Sequence, residues 1–200
     1  MAAVILRVAV AARAYPGELL SGDASRVDRE GDGWRIAVID GLGHGAGAAA
    51  AASVALAALS SHPGLDPAAA LRQCHQALHG TRGAAIGVAS IDPAEGRLVF
   101  AGVGNVGSRL WRAGQEKHVS SARGIVGVIL PKIRLEELAL AEGWRLVMHT
   151  DGVSSRFNLA ELAERDADPQ ALADAILSGW GQTSDDAAVV VAGVADSAVI

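Results

Sequence analysis

Arg35-Ile36-Ala37-Val38-Ile39-Asp40-Gly41-Leu42-Gly43-His44-Gly45 runs straight into an alanine-rich stretch from Ala46 to Leu59. The short, mostly apolar run before Asp40 predicts a buried strand, the glycines a turn, and the alanines a helix to about Ser60, broken by His62-Pro63-Gly64. The strand ends on a carboxylate, which is costly to bury unless a cation meets it. The same ending recurs in Arg145-Leu146-Val147-Met148-His149-Thr150-Asp151-Gly152. Asp23 in Ser21-Gly22-Asp23 and Asp185 in Ser184-Asp185-Asp186 stand at two further turns. Lys117 and Lys132 are the only lysines, and four turn aspartates spread over the chain point to a metal as the missing cation.

Outward from that stretch, residues 3–13 alternate and predict a strand, and Gly17 to Gly33 reads as a polar connection. Asp66-Pro67 supplies an N-cap and a proline at the first helical position, opening a helix to about Gly80. Residues 84–91 and 97–101 flank Asp92-Pro93-Ala94-Glu95-Gly96 as a hairpin, and strands follow over 106–112 and near 117–120, 133–140 and 144–150. Residues 158–164 and 169–180 read as helices, and 187–194 as a last buried strand. The pattern predicts an α+β fold with layered antiparallel sheets, in a single domain over residues 1–200.

Half of the 200 residues are hydrophobic and 20% are charged, enough for a sizeable core. A net charge of −5 with no Lys/Arg cluster argues against nucleic acid as a partner. The lone Cys74 excludes an intrachain disulfide and fits a reducing, cytoplasmic setting. The N-terminal apolar run lacks a basic region ahead of it and is interrupted by Arg7, so an export signal is not expected. Ala46 to Leu59 is too short to span a bilayer, and no membrane partner is expected.

Carboxylates and carbonyls are hard oxygen donors that suit Mg²⁺ or Mn²⁺. Two such ions about 3.5–4 Å apart activate a water and neutralise a phosphoryl group. Gly41 and Gly152 are expected to turn with positive φ, bringing each carboxylate and a backbone carbonyl to one point, and Asp40 is best placed to bridge. Taken singly, each aspartate also fits an ordinary turn.

Three other patterns are weaker. Gly41-Leu42-Gly43-His44-Gly45-Ala46 matches a relaxed dinucleotide fingerprint, but Asp40 would repel a pyrophosphate and no acidic residue ends a second strand about 20 residues on. Cys74, His75 and His79 have zinc-like spacing without a further ligand and read as a helix face. Trp34, Trp111, Trp144 and Trp180 are scattered singly and read as packing.

Five motifs in order carry a stronger signal: Ser21-Gly22-Asp23; Val38-Ile39-Asp40-Gly41-Leu42-Gly43-His44-Gly45; Gly102-Val103-Gly104-Asn105; His149-Thr150-Asp151-Gly152-Val153; and Ser184-Asp185-Asp186 followed by Ala187 to Val191. From about residue 4 to 195 the chain resembles the metal-dependent (PPM-type) serine/threonine phosphatases, in the SpoIIE-like branch and nearest its short RsbX-type members of stress-signalling pathways. The resemblance implies a four-layer αββα sandwich, two antiparallel sheets flanked by helices, and two Mn²⁺ or Mg²⁺ ions at one edge. It makes Asp40 the bridging ligand, with Asp151 and Asp185 on one ion and Asp23 and the Gly41 carbonyl on the other. Asp186 and Asn105 would stand behind these ligands.

The implied reaction is in-line attack of a metal-bridging water on a phosphoserine or phosphothreonine. The implied substrate is a phosphorylated protein, a stressosome-type scaffold or an anti-anti-sigma-like protein. His44, four residues past Asp40, is positioned either to protonate the leaving oxygen or to brace its loop.

Two departures from the family stand out. The upstream arginine that holds the substrate phosphate has only Arg13 and Arg7 as candidates, of which Arg13 is preferred. Gly107-Ser108-Arg109 lacks the aspartate of the larger enzymes' Asp-Ser-Arg, which weakens the case for a third metal. The short span between Asn105 and Asp151 leaves little room for a covering flap, so specificity would come from docking a folded partner. The competing reading is a catalytically weak or inactive phosphatase-fold module that binds its partner without turnover.

Overall fold

The computed structural model describes residues 6–194 apart from 113, 141, 142 and 167. Residues 3–5 of the first expected strand, the start read against export, and residues 4, 5 and 195 of the family-like stretch lie outside them.

The elements run β1 (Leu6–Arg13), β2 (Asp23–Glu30), β3 (Gly33–Gly41), α1 (Ala46–Ser61), α2 (Pro67–Ala77), β4 (Ala84–Asp92), β5 (Arg97–Val103), β6 (Gly107–Arg112), β7 (Gln115–Val119), β8 (Glu136–Ala139), β9 (Arg145–His149), α3 (Leu159–Arg165), α4 (Pro169–Trp180) and β10 (Ala187–Val194). They form two five-stranded sheets, ordered β2-β3-β4-β5-β8 and β1-β10-β9-β6-β7, in which every paired strand is antiparallel.

Period-2 alternation explains the layering. Ile36 and Val38 of β3 point inward with Phe100, Leu110, Leu146, Met148 and Val190, forming the core between the sheets. Ala37 and Ile39 of the same strand point outward, against α1 and α2. Val147, Val189 and Val191 do the same on the other sheet, against α3 and α4. With both faces covered, β3, β9 and β10 read as near-continuous apolar runs. The result is the αββα sandwich that the sequence implied.

Alanine in α1 lets the helix lie close on its sheet: Ala48, Ala51, Ala52, Ala55, Ala58 and Leu59 are buried. Its C-terminus is held by Arg35, which is 2% exposed. Arg35 donates to the carbonyls of Leu59 (2.8 Å) and His62 (2.9 Å) and pairs with Glu30 at 3.0 Å. A buried cation there complements the negative helix end. On α2, Asp66 caps by accepting from the Ala69 amide, as predicted.

One element departs from expectation. Residues 23–30, read as part of a polar connection, form β2 and pair with β3 over their whole length. β2 is an edge strand that is only half-buried, so it carries polar residues without penalty. Its signal was the turn: Glu30 opposite Gly33 leaves Gly31-Asp32 as a two-residue hairpin loop, a favoured glycine-containing type.

The other patterns resolve as packing. Cys74 is fully buried, His75 Nδ1 accepts from the Gly127 amide at 2.8 Å, and the His75 and His79 rings meet edge-on. Among the described residues no zinc ligand set forms there. Trp111 and Trp144 are buried, and Trp34 and Trp180 pack against the cores. Among the described residues no helix is long and apolar enough to cross a membrane.

Candidate metal centre

Both sheets end their central strands at one edge, and each delivers two aspartates there. In the first sheet Asp23 opens β2 and Asp40 closes β3, directly across the ladder from one another. In the second, Asp151 follows β9 and Asp185 precedes its neighbour β10. Like charges facing one another on paired strands are destabilising unless something neutralises them.

The electrostatics record that conflict. Burial, reinforced by the charges of Asp23, Asp151 and Asp185, pushes the Asp40 carboxyl up to about 8. Asp23 is pushed up to about 7, by burial first and then by Asp186, Asp151 and Asp185, against a hydrogen bond from Thr150. Asp151 is also raised, by burial and by Asp185, and it shares a hydrogen bond with Asp40. No lysine or arginine is among the groups that set these shifts. The four sequence-predicted ligands therefore share one field of uncompensated negative charge.

Several side chains hold the aspartates in place. Thr150 Oγ1 donates to Asp23 Oδ2 at 2.6 Å, tying the end of one sheet to the start of β2 in the other. The same hydroxyl accepts from the Ala188 amide at 2.9 Å. Asn105 Nδ2 donates to Asp151 Oδ2, and Gln182 Nε2 donates to the Asp151 carbonyl at 3.0 Å. Asp186 is a clamp: its Oδ1 accepts from the Tyr15 amide at 2.7 Å and its Oδ2 from the Gly22 amide at 2.8 Å. Both oxygens are thus engaged in pinning residues 15–22, while the Asp186 amide donates to Asp185 Oδ1 at 2.9 Å.

The turn glycines serve a purpose other than the one expected. Neither Gly41 nor Gly152 has positive φ; in the first turn that conformation belongs to Gly43 and Gly45. Gly41 and Gly152 are needed for close approach, since an added Cβ would strike the Ala48 carbonyl in one case and the Asp186 carbonyl in the other.

His44 stands at the rim, stacked on Tyr15 with ring centroids 4.6 Å apart and with Nδ1 3.3 Å from Glu18 Oε1. Arg13 turns its guanidinium to the Gln182 carbonyl. Arg82, which the sequence did not single out, lies over the first turn: a Cβ at Gly43 would be 3.2 Å from its Nη1, and one at Gly47 2.7 Å from its Nε. Tyr15, Glu18, Thr150 and Gln182 were also missed, because each acts through a contact distant in sequence.

Among the described residues no three acidic, histidine or cysteine side chains already form a closed metal cage. The donor chemistry nonetheless fits divalent ions: hard carboxylate oxygens with raised proton affinity and no competing cation. A cavity of about 830 Å³ lies between the Gly31 hairpin and the Pro63–Pro67 turn and contains none of these aspartates. A smaller hollow, about 370 Å³, opens beside Asp151.

The family model described as Stage II sporulation protein E (SpoIIE) matches residues 30–195. The chain belongs to the SpoIIE family. Among solved structures, a chain from work on the bacterial stressosome, a modular system adapted to control secondary messenger signalling, is 32% identical. Its TM-score is 0.89, over 94% of this chain and 100% of that one. RsbX in complex with magnesium is 18% identical, with a TM-score of 0.86 over 95% and 96% of the two chains, a likeness of fold. The PP2C phosphatase domain of SpoIIE from Bacillus subtilis, with a fragment of its regulatory domain, is 25% identical. Its TM-score is 0.79, over 96% of this chain and 62% of that one. No curated protein sequence matches. This SpoIIE-family chain thus has a PP2C-type phosphatase fold, with its turn aspartates gathered at one sheet edge.

Proposed function

We propose that residues 1–200 act as one Mn²⁺- or Mg²⁺-dependent protein serine/threonine phosphatase domain. The observation that carries the reading is the four-aspartate edge, where carboxyls from both sheets repel one another with no cation set against them. Asp40 would bridge two ions, Asp151 and Asp185 would complete one, and Asp23 with the Gly41 carbonyl would serve the other. When bound, such ions activate water and neutralise the phosphoryl oxygens.

The remaining roles fall to the chain itself. Thr150 and Asn105 fix Asp23 and Asp151, and Asp186 fixes the loop that carries Tyr15 and Glu18. His44, with Nδ1 facing Glu18, keeps Nε2 for protonating the leaving serine or threonine oxygen. Arg13, the cation preferred from sequence for the phosphate, is engaged with the Gln182 carbonyl. Arg82 has no ion pair or hydrogen bond among the described residues and lies against the turn that follows Asp40, so we assign it the phosphate oxygens.

The substrate we propose is a phosphoserine or phosphothreonine protein of a bacterial stress-signalling complex, a stressosome-type scaffold or an anti-anti-sigma-like protein, met in the cytoplasm. The likeness to a stressosome-associated chain and to RsbX supports this choice. The test is hydrolysis of phosphoserine peptides and p-nitrophenyl phosphate, stimulated by Mn²⁺ and abolished by EDTA and by Asp40→Asn or Asp151→Asn. Turnover that survives chelation would refute the metal reading. A second reading, a partner-binding module without turnover, is favoured by the open arrangement of the aspartates; it requires Mn²⁺ to bind without hydrolysis of any phosphopeptide.

A further inference from the structure

The hollow beside Asp151 is built to hold something. Asn105, Gly107, His149, Asp151, Arg156 and Gln182 line it, and its volume of about 370 Å³ lies within the usual range of ligand pockets, roughly 300–1,000 Å³.

Its base is His149, only 3% exposed. His149 Nδ1 lies 2.8 Å from the Thr150 carbonyl, which can only accept, so the ring proton sits on Nδ1 and Nε2 carries a lone pair. That Nε2 is buried and has no hydrogen-bond partner. Gly107 packs its backbone against that edge of the ring, since a Cβ there would collide with the imidazole at Nε2.

The wall is held from behind. Arg109, itself buried, donates to the Ser155 carbonyl and, at 3.1 Å, to the Phe157 carbonyl, with its guanidinium 3.9 Å above the Phe157 ring. The two carbonyls that flank Arg156 are therefore fixed. Arg156 is exposed on that wall, with no ion pair or hydrogen bond among the described residues. Binding groups carried on so braced a loop lose little freedom when a ligand arrives.

We propose that this hollow is the substrate's side-chain subsite: it takes the residue flanking the phosphoserine, with an acidic side chain on Arg156. The proposal rests on the phosphatase reading, since Asp151 is what sets the hollow next to the scissile phosphate. It assigns the enzyme a preference for phosphoserines in acidic sequence, read by a cation on the Asp151 side of the centre and separate from Arg82 on the Gly43 side.

The test uses the full chain and two fluorescein-labelled phosphoserine peptides identical except for glutamates or lysines flanking the phosphoserine. Hydrolysis is followed in Mn²⁺, and binding by fluorescence anisotropy in EDTA. The wild type should favour the acidic peptide by roughly fivefold in both assays, in keeping with a partly exposed ion pair. Arg156→Glu, an exposed substitution whose folding is checked by its Tm, should reverse the preference.

Equal treatment of the two peptides by wild type, or a preference that survives Arg156→Glu, overturns the subsite while leaving the phosphatase reading intact. Absence of any Mn²⁺-dependent hydrolysis, p-nitrophenyl phosphate included, overturns the phosphatase reading instead. The anisotropy preference and its reversal then decide the subsite alone.

Discussion

Asp40→Asn should stabilise the metal-free protein at alkaline pH and destabilise it once metal is added. Well below pH 3.8, the ordinary value, the Asp40 carboxyl is protonated in folded and unfolded chains alike, and it costs nothing. Between 3.8 and about 8 the unfolded chain gives up the proton and the folded one keeps it, so stability falls as pH rises and levels off above about 8. At about 1.4 kcal/mol per pH unit the full penalty approaches 6 kcal/mol. Asp40 and Asp151 share a hydrogen bond, so the penalty is common to both, and roughly half, about 3 kcal/mol, is relieved by changing Asp40 alone. For a chain of this size that corresponds to a Tm higher by roughly 10 °C. Differential scanning fluorimetry in EDTA should show the variant melting above wild type at pH 9, with the gap closing to about 3 °C or less at pH 5. Saturating Mn²⁺ should reverse the order, because two ions at a hundred times their Kd contribute about 5 kcal/mol to a protein that can bind them. A variant that melts below wild type in EDTA at both pH values would refute the reasoning, because Asp40 would then be an ordinary solvated turn residue.

Three further substitutions probe the supports. Asp186→Ala should cost about 3 kcal/mol in urea unfolding, since it strands the buried Gly22 amide and frees that of Tyr15; limited proteolysis should then cut within residues 15–22. Thr150→Val keeps the side chain's shape and removes the bond to Asp23, so Mn²⁺ affinity measured calorimetrically should fall roughly 10- to 100-fold with little change in fold. Arg82→Ala should raise KM for p-nitrophenyl phosphate about tenfold, whereas Arg82→Lys should recover part of the loss; unchanged kinetics would return the phosphate to Arg13.

The interior of the sandwich was legible because its strands are apolar on both faces and its helices carry their own punctuation. Asp66-Pro67 and Asp168-Pro169 mark where α2 and α4 start, and both aspartates accept from amides of the first turn. β2 was not legible by periodicity. Its side chains are half-buried at a sheet edge, and what makes it a strand is eight residues of pairing with β3, a tertiary fact. Only the glycine-containing two-residue turn at Gly31-Asp32 reported it locally. Chain-wide apolar pattern therefore located the covered strands and missed this polar edge.

The site divides along the same line. Asp40 and Asp151 announce themselves because an apolar strand ending in a carboxylate is anomalous at the level of sequence alone. The groups that make those carboxylates usable do not. Thr150, Asn105 and Asp186 act across 127, 46 and 164 residues of chain; the family resemblance placed Asn105 and Asp186 behind the ligands, and nothing marked Thr150 for that duty. Asp186 is the instructive case. Next to Asp185 it looks like a spare ligand, yet both of its oxygens accept backbone amides from a different sheet's approach loop. A doublet of acidic residues at a strand entrance thus carries two jobs, one toward the neighbouring carboxylates and one toward the loop at the rim. Gly152 is what lets both happen, since its missing Cβ allows the Asp151 turn to rest directly on the Asp186 carbonyl. Mutating either aspartate alone should accordingly separate metal affinity from loop order, because both Asp186 oxygens are committed to the loop amides while Asp185 bears on Asp151.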